Sequence, residues 1–400
     1  LLFASLTTGV TLNLTKSIVQ AVHTNRTLKL NSGSTFENIV GGAGNDVLTG
    51  NSLGNSFTGN AGNDTLSGGS GNDTYIFGPA SAAEADIVSE GTNQGSDTLS
   101  FVSLTTGVTL NLTKSIVQAV HTNRTLKLNS GSTFENIVGG SGNDVLTGNL
   151  LNNTFTGNAG NDTLFGFNGN DTLTGGAGND TLFGGLGNDT YVFGTASAAE
   201  ADIVSEGTNQ GSDTLSFASL TSGVTLNLTK SIVQAIHTNR TLQLNSGSTF
   251  ENIIGGSGDN VLTGNLLNNV LISSSGNDTL FGFAGRDLLV GGSGTDLFYG
   301  GIGDDILISG TFSYFNEATR TLNKAGVEAL MAEWTGFSNY ATRISNLRNG
   351  TGLNGANVLN IGNVLDDAAI DTLFGEGDED WFWLFGSDTA QDQAGGEQTN

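Results

Sequence analysis

"GGAGNDTLFGGLGNDTYVFG" spans residues 175–194 and places Gly-Asn-Asp-Thr twice, nine residues apart, each time just before one apolar position, Leu182 or Tyr191. Glycine, asparagine and aspartate form turns, and at this density they ordinarily mean loop or disorder. The spacing points elsewhere. A six-residue turn followed by a three-residue strand sends one side chain inward per nine, because strand side chains alternate faces. Two such half-turns make an 18-residue coil of a flattened parallel β-solenoid. One coil cannot bury its apolar row, whereas stacked coils can.

Outward from this stretch the nines gather into blocks: four in 41–76, six in 139–192 and six in 255–308. Block lengths differ by a pair of nines, as expected if two nines make one turn. In the second block the eighth positions are Leu146, Phe155, Leu164, Leu173, Leu182 and Tyr191, the expected inner row. The interludes 77–138 and 193–254 are 62 residues each and read as the same solenoid with longer turns, around centres such as Val204, Leu215, Leu226, Leu242 and Ile253. "SIVQAIH" (231–237) fits a strand better than a helix, because β-branched residues flank it. Residues 1–30 match 99–128 almost letter for letter, so the chain starts inside a repeat, and we expect a longer parent protein. The segmentation is therefore 1–40 (partial interlude), 41–76, 77–138, 139–192, 193–254, 255–310 and 311–400.

The last segment changes texture. Leu322, Val327, Leu330, Met331 and Trp334 fall at helical spacing, followed by Tyr340, Ile344 and Leu347, with Gly350 as a stop. The spacing predicts helices over 316–335 and 338–349. Asp371 and Asp380 then sit nine apart in two degenerate nines, before a polar tail (387–400) expected to fray. The fold class is all-β, a parallel β-solenoid with a small α+β carboxyl-terminal cap.

Composition narrows the partners. The chain has 38 acidic and 13 basic residues, a net charge of −25, which disfavours nucleic acid and anionic membranes and favours a cation. It has 61 glycines, one proline and no cysteine, so a disulfide framework and a thiolate metal site are both excluded. No apolar run reaches the roughly 18 residues of a membrane span.

The sixth position of each nine carries the chemistry. It is aspartate twelve times: Asp46, Asp64, Asp73, Asp144, Asp162, Asp171, Asp180, Asp189, Asp278, Asp287, Asp296 and Asp305. Residues 18 apart stack at about 4.8 Å in a coil, so Asp180 lies over Asp162 and Asp189 over Asp171. Carboxylates at that separation repel unless a proton or a cation intervenes. Calcium takes oxygen ligands at about 2.3–2.6 Å and suits a position between two loops, with backbone carbonyls completing its shell. Magnesium demands a tighter octahedron, and zinc wants His or Cys, which the blocks lack.

The nines resemble the RTX (hemolysin-type) calcium-binding repeat, G-G-x-G-x-D-x-U-x. The resemblance implies a parallel β-roll with Ca2+ held between successive loops, and export by a type I exporter in an unfolded state. It also implies an extracellular protein, secreted and associated with the cell surface. Departures occur at Asn55, Asn153 and Asn269, each with leucine two residues earlier, and at Asn260, where the usual order is swapped. These loops are expected to lack a full-strength ion, with the leucines filling apolar space. Phe167 and Phe283 stand where a turn glycine is expected. Phe165 and Phe183 should stack on the outer face.

No H-E-x-x-H, G-x-S-x-G or Walker loop appears, so an enzyme is not expected within these residues. Near-identical tandem units point to part of an adhesin or structural protein with a cell-surface or matrix partner. The alternative is the secretion and folding module of a lipase or metalloprotease whose catalytic domain lies upstream.

Overall fold

A computed structural model describes residues 1–31, 35–91, 95–130, 133–207, 210–246, 249–393 and 396–400. The chain divides into two compact units, Leu1–Thr190 and Tyr191–Asn400.

In the first unit the coil repeat is 18 residues. Thr163–Asn168 pairs in parallel with Thr181–Leu186, setting Leu164 beside Leu182, and Thr154–Ala159 pairs with Thr172–Ala177, setting Phe155 beside Leu173. Consecutive nines thus lie on opposite sheets. Leu146, Phe155, Leu164, Leu173 and Leu182 are all buried in the row between them, as are Leu48, Phe57, Leu66 and Tyr75 in the first block. Full burial of such side chains contributes roughly 1.5–3 kcal/mol each. The threonines beside them face outward on the pleat; Thr156, Thr163, Thr172 and Thr181 are half-buried and Thr154 is exposed.

The first full interlude follows the solenoid on one side only. Thr98–Ser100 pairs in parallel with both Thr74–Ile76 and Asn136–Val138, continuing that sheet. On the other side Glu84–Ser89 adds to Thr65–Ser67, and Arg124–Leu128 adds to Glu84–Ser89. There the sheet ends in an antiparallel strand, Gln118–His121, and a fresh sheet begins where Thr109–Asn111 pairs with Val145–Thr147. The later copy behaves alike. Gln234–His237 pairs antiparallel with Arg240–Leu244, so "SIVQAIH" supplies a hairpin strand, not a rung of the solenoid. Asn123 and Asn239 turn these hairpins at φ of 62° and 66°, a region asparagine tolerates.

In the second unit the solenoid runs through the third block and then skips 311–370. Leu297–Ile302 pairs with Thr372–Phe374, and Ile306–Ile308 pairs with Trp381–Trp383, so the two degenerate nines are a genuine coil. The tail is more ordered than expected: Thr389–Ala390 and Gln398–Thr399 each add a further parallel strand. Ala394 and Gly395 of that tail lie outside the described residues.

The skipped segment is the cap. Helix α1 covers Lys324–Trp334 and α2 covers Tyr340–Asn349. The first is shorter than the spacing predicts, because Phe315–Asn316 and Thr321–Leu322 form a hairpin with Arg320 at φ 56°, and Asn323 then caps the helix. Gly350 ends α2 in the left-handed conformation, as expected. Val327, Leu330, Trp334, Ile344 and Leu347 pack on an outer sheet face made apolar by Ile272, Val290, Ile308, Trp381 and Trp383. Arg343 is buried beneath them. It pairs with Asp304, donates to the Trp334 carbonyl at 2.7 Å, and lies 4.6 Å from the Trp334 ring centroid. No helix among the described residues is long and apolar enough to cross a membrane.

The two-nine coil sets a deletion rule. Removing 157–174, one whole coil, should leave a cooperatively melting chain, whereas removing 157–165 puts every later half-turn of the unit on the wrong sheet and should broaden or abolish the transition. Thermal melts of the two deletants by circular dichroism at saturating calcium check this; equal behaviour would contradict it.

Candidate metal centres

Each turn depends on backbone that only glycine and a few other residues reach. Position four is glycine with φ of 120° at Gly160, 110° at Gly169 and 132° at Gly178. Position two also has positive φ, at Asn158 (78°) and Gly176 (111°), and the loop keeps that shape at Phe167 (89°) and Phe283 (83°). For a phenylalanine the conformation costs about 1–2 kcal/mol. Position one is glycine for a different reason: a Cβ on Gly157 would overlap Oδ2 of Asp162, and one on Gly291 would overlap Oδ2 of Asp296. The carboxylate folds back over its own loop into the space a side chain would fill.

From there it reaches the next coil. The backbone N–H of Asp46 donates to Oδ1 of Asp64 at 2.8 Å, Asp144 to Asp162 at 2.7 Å, and Asp162 to Asp180 at 2.8 Å. The pattern recurs from Asp171 to Asp189 at 2.7 Å, from Asp278 to Asp296 at 2.8 Å and from Asp287 to Asp305 at 2.8 Å. The structure therefore stacks the position-six aspartates in columns at the 18-residue spacing. Asp180 and Asp189, neighbours in sequence, fall in different columns.

One oxygen of each carboxylate has a role in this ladder; the other is what a ligand would need. Oδ2 of Asp73, Asp162, Asp278, Asp287, Asp296 and Asp305 is buried with no hydrogen-bond partner. A buried unpaired acceptor costs about 1–3 kcal/mol, more when charged. Asp46 and Asp144, first in their blocks, differ: Oδ2 accepts from Gly42 N and Gly140 N at 2.8 Å, and Oδ1 from Val10 N at 2.6 Å and Val108 N at 2.7 Å. Backbone already serves both their oxygens.

Titration reflects this crowding. Burial, together with the Asp144 and Asp180 carboxylates, pushes Asp162 up to about 7. Burial raises Asp64 to about 7, with Asp86 and Asp46 adding repulsion, and Asp296 to about 9, with Asp278 and Asp371 adding it. Asp305 is also driven well above the carboxylate range by burial and the nearby Asp287. All-oxygen donors, buried negative charge and glycine loops fit a calcium ion.

The departures from aspartate show how a column closes without an ion. The amide nitrogen of Asn153 donates to the Glu135 carbonyl at 3.0 Å, Asn269 to Glu251 at 2.9 Å, and Asn55 to Glu37 at 3.3 Å. The accompanying leucines Leu53, Leu151 and Leu267 are only half-buried, so they do not enter the core. Asn260 donates to the Gly256 carbonyl at 3.0 Å and to Asp278 Oδ1 at 2.9 Å. In the interludes a guanidinium takes over: Arg124 pairs with Glu84 and Asp86, and Arg240 with Glu200 and Asp202. Both arginines are 3% exposed and lie over Phe77 and Phe193.

Sequence reading missed several members of the columns. Asp371 and Asp380 accept from Asp296 N at 2.6 Å and Asp305 N at 2.7 Å, and each has a buried, unpartnered Oδ2. Asp86 and Asp97 extend the first-unit columns, accepting from Asp64 N at 3.0 Å and Asp73 N at 2.8 Å. Asp371 and Asp380 were detectable from their nine-residue spacing; Asp86 and Asp97 sit in longer turns, where no spacing marks them. On the outer faces Phe165 stacks on Phe183 with ring centroids 4.7 Å apart, as expected, and Phe281, Tyr299 and Phe374 form a matching ladder.

A family model described as the RTX calcium-binding nonapeptide repeat (4 copies) matches residues 32–52, 49–79, 130–164, 147–182, 165–195, 246–280, 263–298 and 281–313. These matches coincide with the three glycine-rich blocks and their edges. No curated protein matches the chain.

The raised carboxylates fix the sign of the pH dependence. Without calcium the fold holds more protons than the unfolded chain from about pH 4 upward. Its stability is therefore highest below that pH and falls as pH rises through the raised values near 7 to 9. Urea melts in EDTA should give a higher midpoint at pH 5 than at pH 8, while calcium addition at pH 7 should release protons into a weakly buffered solution. A flat midpoint and no proton release would contradict this.

Proposed function

The three glycine-rich blocks are RTX calcium-binding nonapeptide repeats, and on that premise we propose that the chain is an extracellular segment whose folding is driven by calcium. The observation that carries this reading is the columns of buried aspartates, in which Oδ2 of Asp73, Asp162, Asp278, Asp287, Asp296 and Asp305 has no hydrogen-bond partner. In this reading Asp64, Asp73, Asp162, Asp171, Asp180, Asp189, Asp278, Asp287, Asp296 and Asp305 hold the ions with loop carbonyls. Asp46 and Asp144 are the weakest of the twelve, since backbone N–H groups already bind both their oxygens.

Because the columns repel themselves when empty, ion binding becomes folding free energy. Extracellular calcium modules work near 10⁻⁴–10⁻³ M, roughly, so the chain stays extended in calcium-poor cytosol and folds outside. That behaviour suits passage through a type I exporter in the unfolded state. The lack of cysteine is consistent with calcium serving as the staple.

The larger role we favour is part of a secreted adhesin or structural protein at the cell surface. The near identity of 1–30 and 99–128 supports it, since tandem copies lengthen a stalk without adding chemistry. The second reading, a folding module of a lipase or metalloprotease, is supported only by the family. The reading frame upstream of residue 1 separates them: further tandem units support the stalk, and a catalytic motif supports the enzyme.

Calcium titration followed by circular dichroism tests the folding role. The full chain should gain β signal cooperatively with calcium and lose it with EDTA; identical spectra in both would overturn the proposal. Asp162→Asn with Asp180→Asn should move the midpoint up by about tenfold, close to 1.4 kcal/mol. The chain should still fold, because asparagine is accommodated at Asn153.

A further inference from the structure

Where the first block gives way to the interlude, three carboxylates meet that do not belong to one nonapeptide. Asp73 closes the block. Glu90 follows the strand Glu84–Ser89, and Asp97 precedes Thr98–Ser100. Each offers an oxygen, and the three oxygens lie within 4.8 Å of one another. Asp73 is 0% exposed, Asp97 1% and Glu90 5%.

Their surroundings supply donors for some of these oxygens but leave the centre unfilled. Asp73 N–H donates to Asp97 Oδ1 at 2.8 Å, and Gly69 N–H reaches Glu90 Oε2 at 3.3 Å. The Tyr75 hydroxyl donates to Glu90 Oε1. Asp73 Oδ2 is buried, unpartnered and turned toward Glu90: a Cβ on Gly68 would overlap both Asp73 Oδ2 and Glu90 Oε1. Beyond the trio, Glu135 accepts from Asp97 N at 2.8 Å and adds a fourth acid.

The same coil shows what such a cluster requires. Across the solenoid, Glu84 and Asp86 face Asp64, and there Arg124 supplies the positive charge. Among the described residues no lysine or arginine nitrogen comes within 4.0 Å of Asp73, Glu90 or Asp97. Three buried carboxylates that close cannot all stay charged without a cation. Two acid clusters on one coil have thus been treated differently, one with a built-in guanidinium and one without.

We propose that Asp73, Glu90 and Asp97 form a calcium site of a second kind, made of three side-chain carboxylates at the junction of block and interlude. It differs from the repeat loops, where one carboxylate per nine is supplemented by backbone. Calcium affinity rises with the charge of the ligand set, so this site fills before the repeat loops. It lies at the end of a run of coils, where the first bound ion would organise the neighbouring turns.

Direct calcium binding to the full chain tests the proposal, with Glu90→Gln/Asp97→Asn compared with wild type and with Asp162→Asn/Asp180→Asn. The first pair should lower the number of tightly bound ions by one, and the second should leave that number unchanged while weakening the looser class. Circular dichroism at saturating calcium confirms that each variant folds; Glu90→Gln alone, which keeps an acceptor for Tyr75, serves if the double variant does not. Terbium emission excited through tyrosine gives a second reading, and it should fall in Tyr75→Phe. An unchanged count of tight ions, with greater stability in EDTA, would mean a shared proton closes the cluster and would overturn the proposal. If only the Asp162/Asp180 pair proves silent, the repeat-loop reading fails and the junction site stands.

Discussion

Stacking like charges is the constraint on which this structure depends. A coil of 18 residues sets each position-six carboxylate against the backbone of the coil before it, as from Asp144 to Asp162 to Asp180. The hydrogen bonds are favourable and fix the register. The charges are not, and burial makes them worse. Glycine at position one, as at Gly157 and Gly291, leaves room for the carboxylate, glycine at position four, as at Gly160, Gly169 and Gly178, turns the chain, and the inner leucines hold the two sheets together. The position-six aspartates supply twelve of the 38 acidic residues behind the net charge of −25.

The structure answers the repulsion in several ways. Repeat loops leave an oxygen open, in the manner of a cation site. Asn55, Asn153 and Asn269 remove the charge and let an amide bridge to a carbonyl. Arg124 and Arg240 place a guanidinium among the acids and stack it on phenylalanine. The chain thus mixes coils whose buried carboxylates include an oxygen without a protein partner with coils that answer theirs by an amide or a guanidinium.

Much of this was legible in the sequence because the repeat exposes it. The nine-residue echo gave the half-turn, the paired change in block length gave the coil, and the aspartate and leucine positions followed from strand alternation. What stayed hidden were contacts between residues far apart in the chain. Nothing local marks Arg124 as the partner of Glu84 and Asp86, since they meet only after a sheet is built. The excursion at 311–370 returns to the same sheet, so Asp371 stacks on Asp296 across 75 residues and escapes any rule of eighteen. A subtler signal was present: Val270, Ile272, Leu288, Val290, Ile306 and Ile308 replace the usual outward threonines, announcing a face to be covered by the helices. Helix lengths were overestimated because the apolar spacing beginning at Leu322 hid the hairpin before Asn323.

Amide hydrogen exchange at Asp144 and Asp162 tests the central claim most directly, because each N–H donates to the carboxylate one coil on. At neutral pH, millimolar calcium should protect both amides, and EDTA should return them to the rates of an unstructured chain. Equal protection in the two conditions would mean that the columns hold together without a cation, and it would contradict the account.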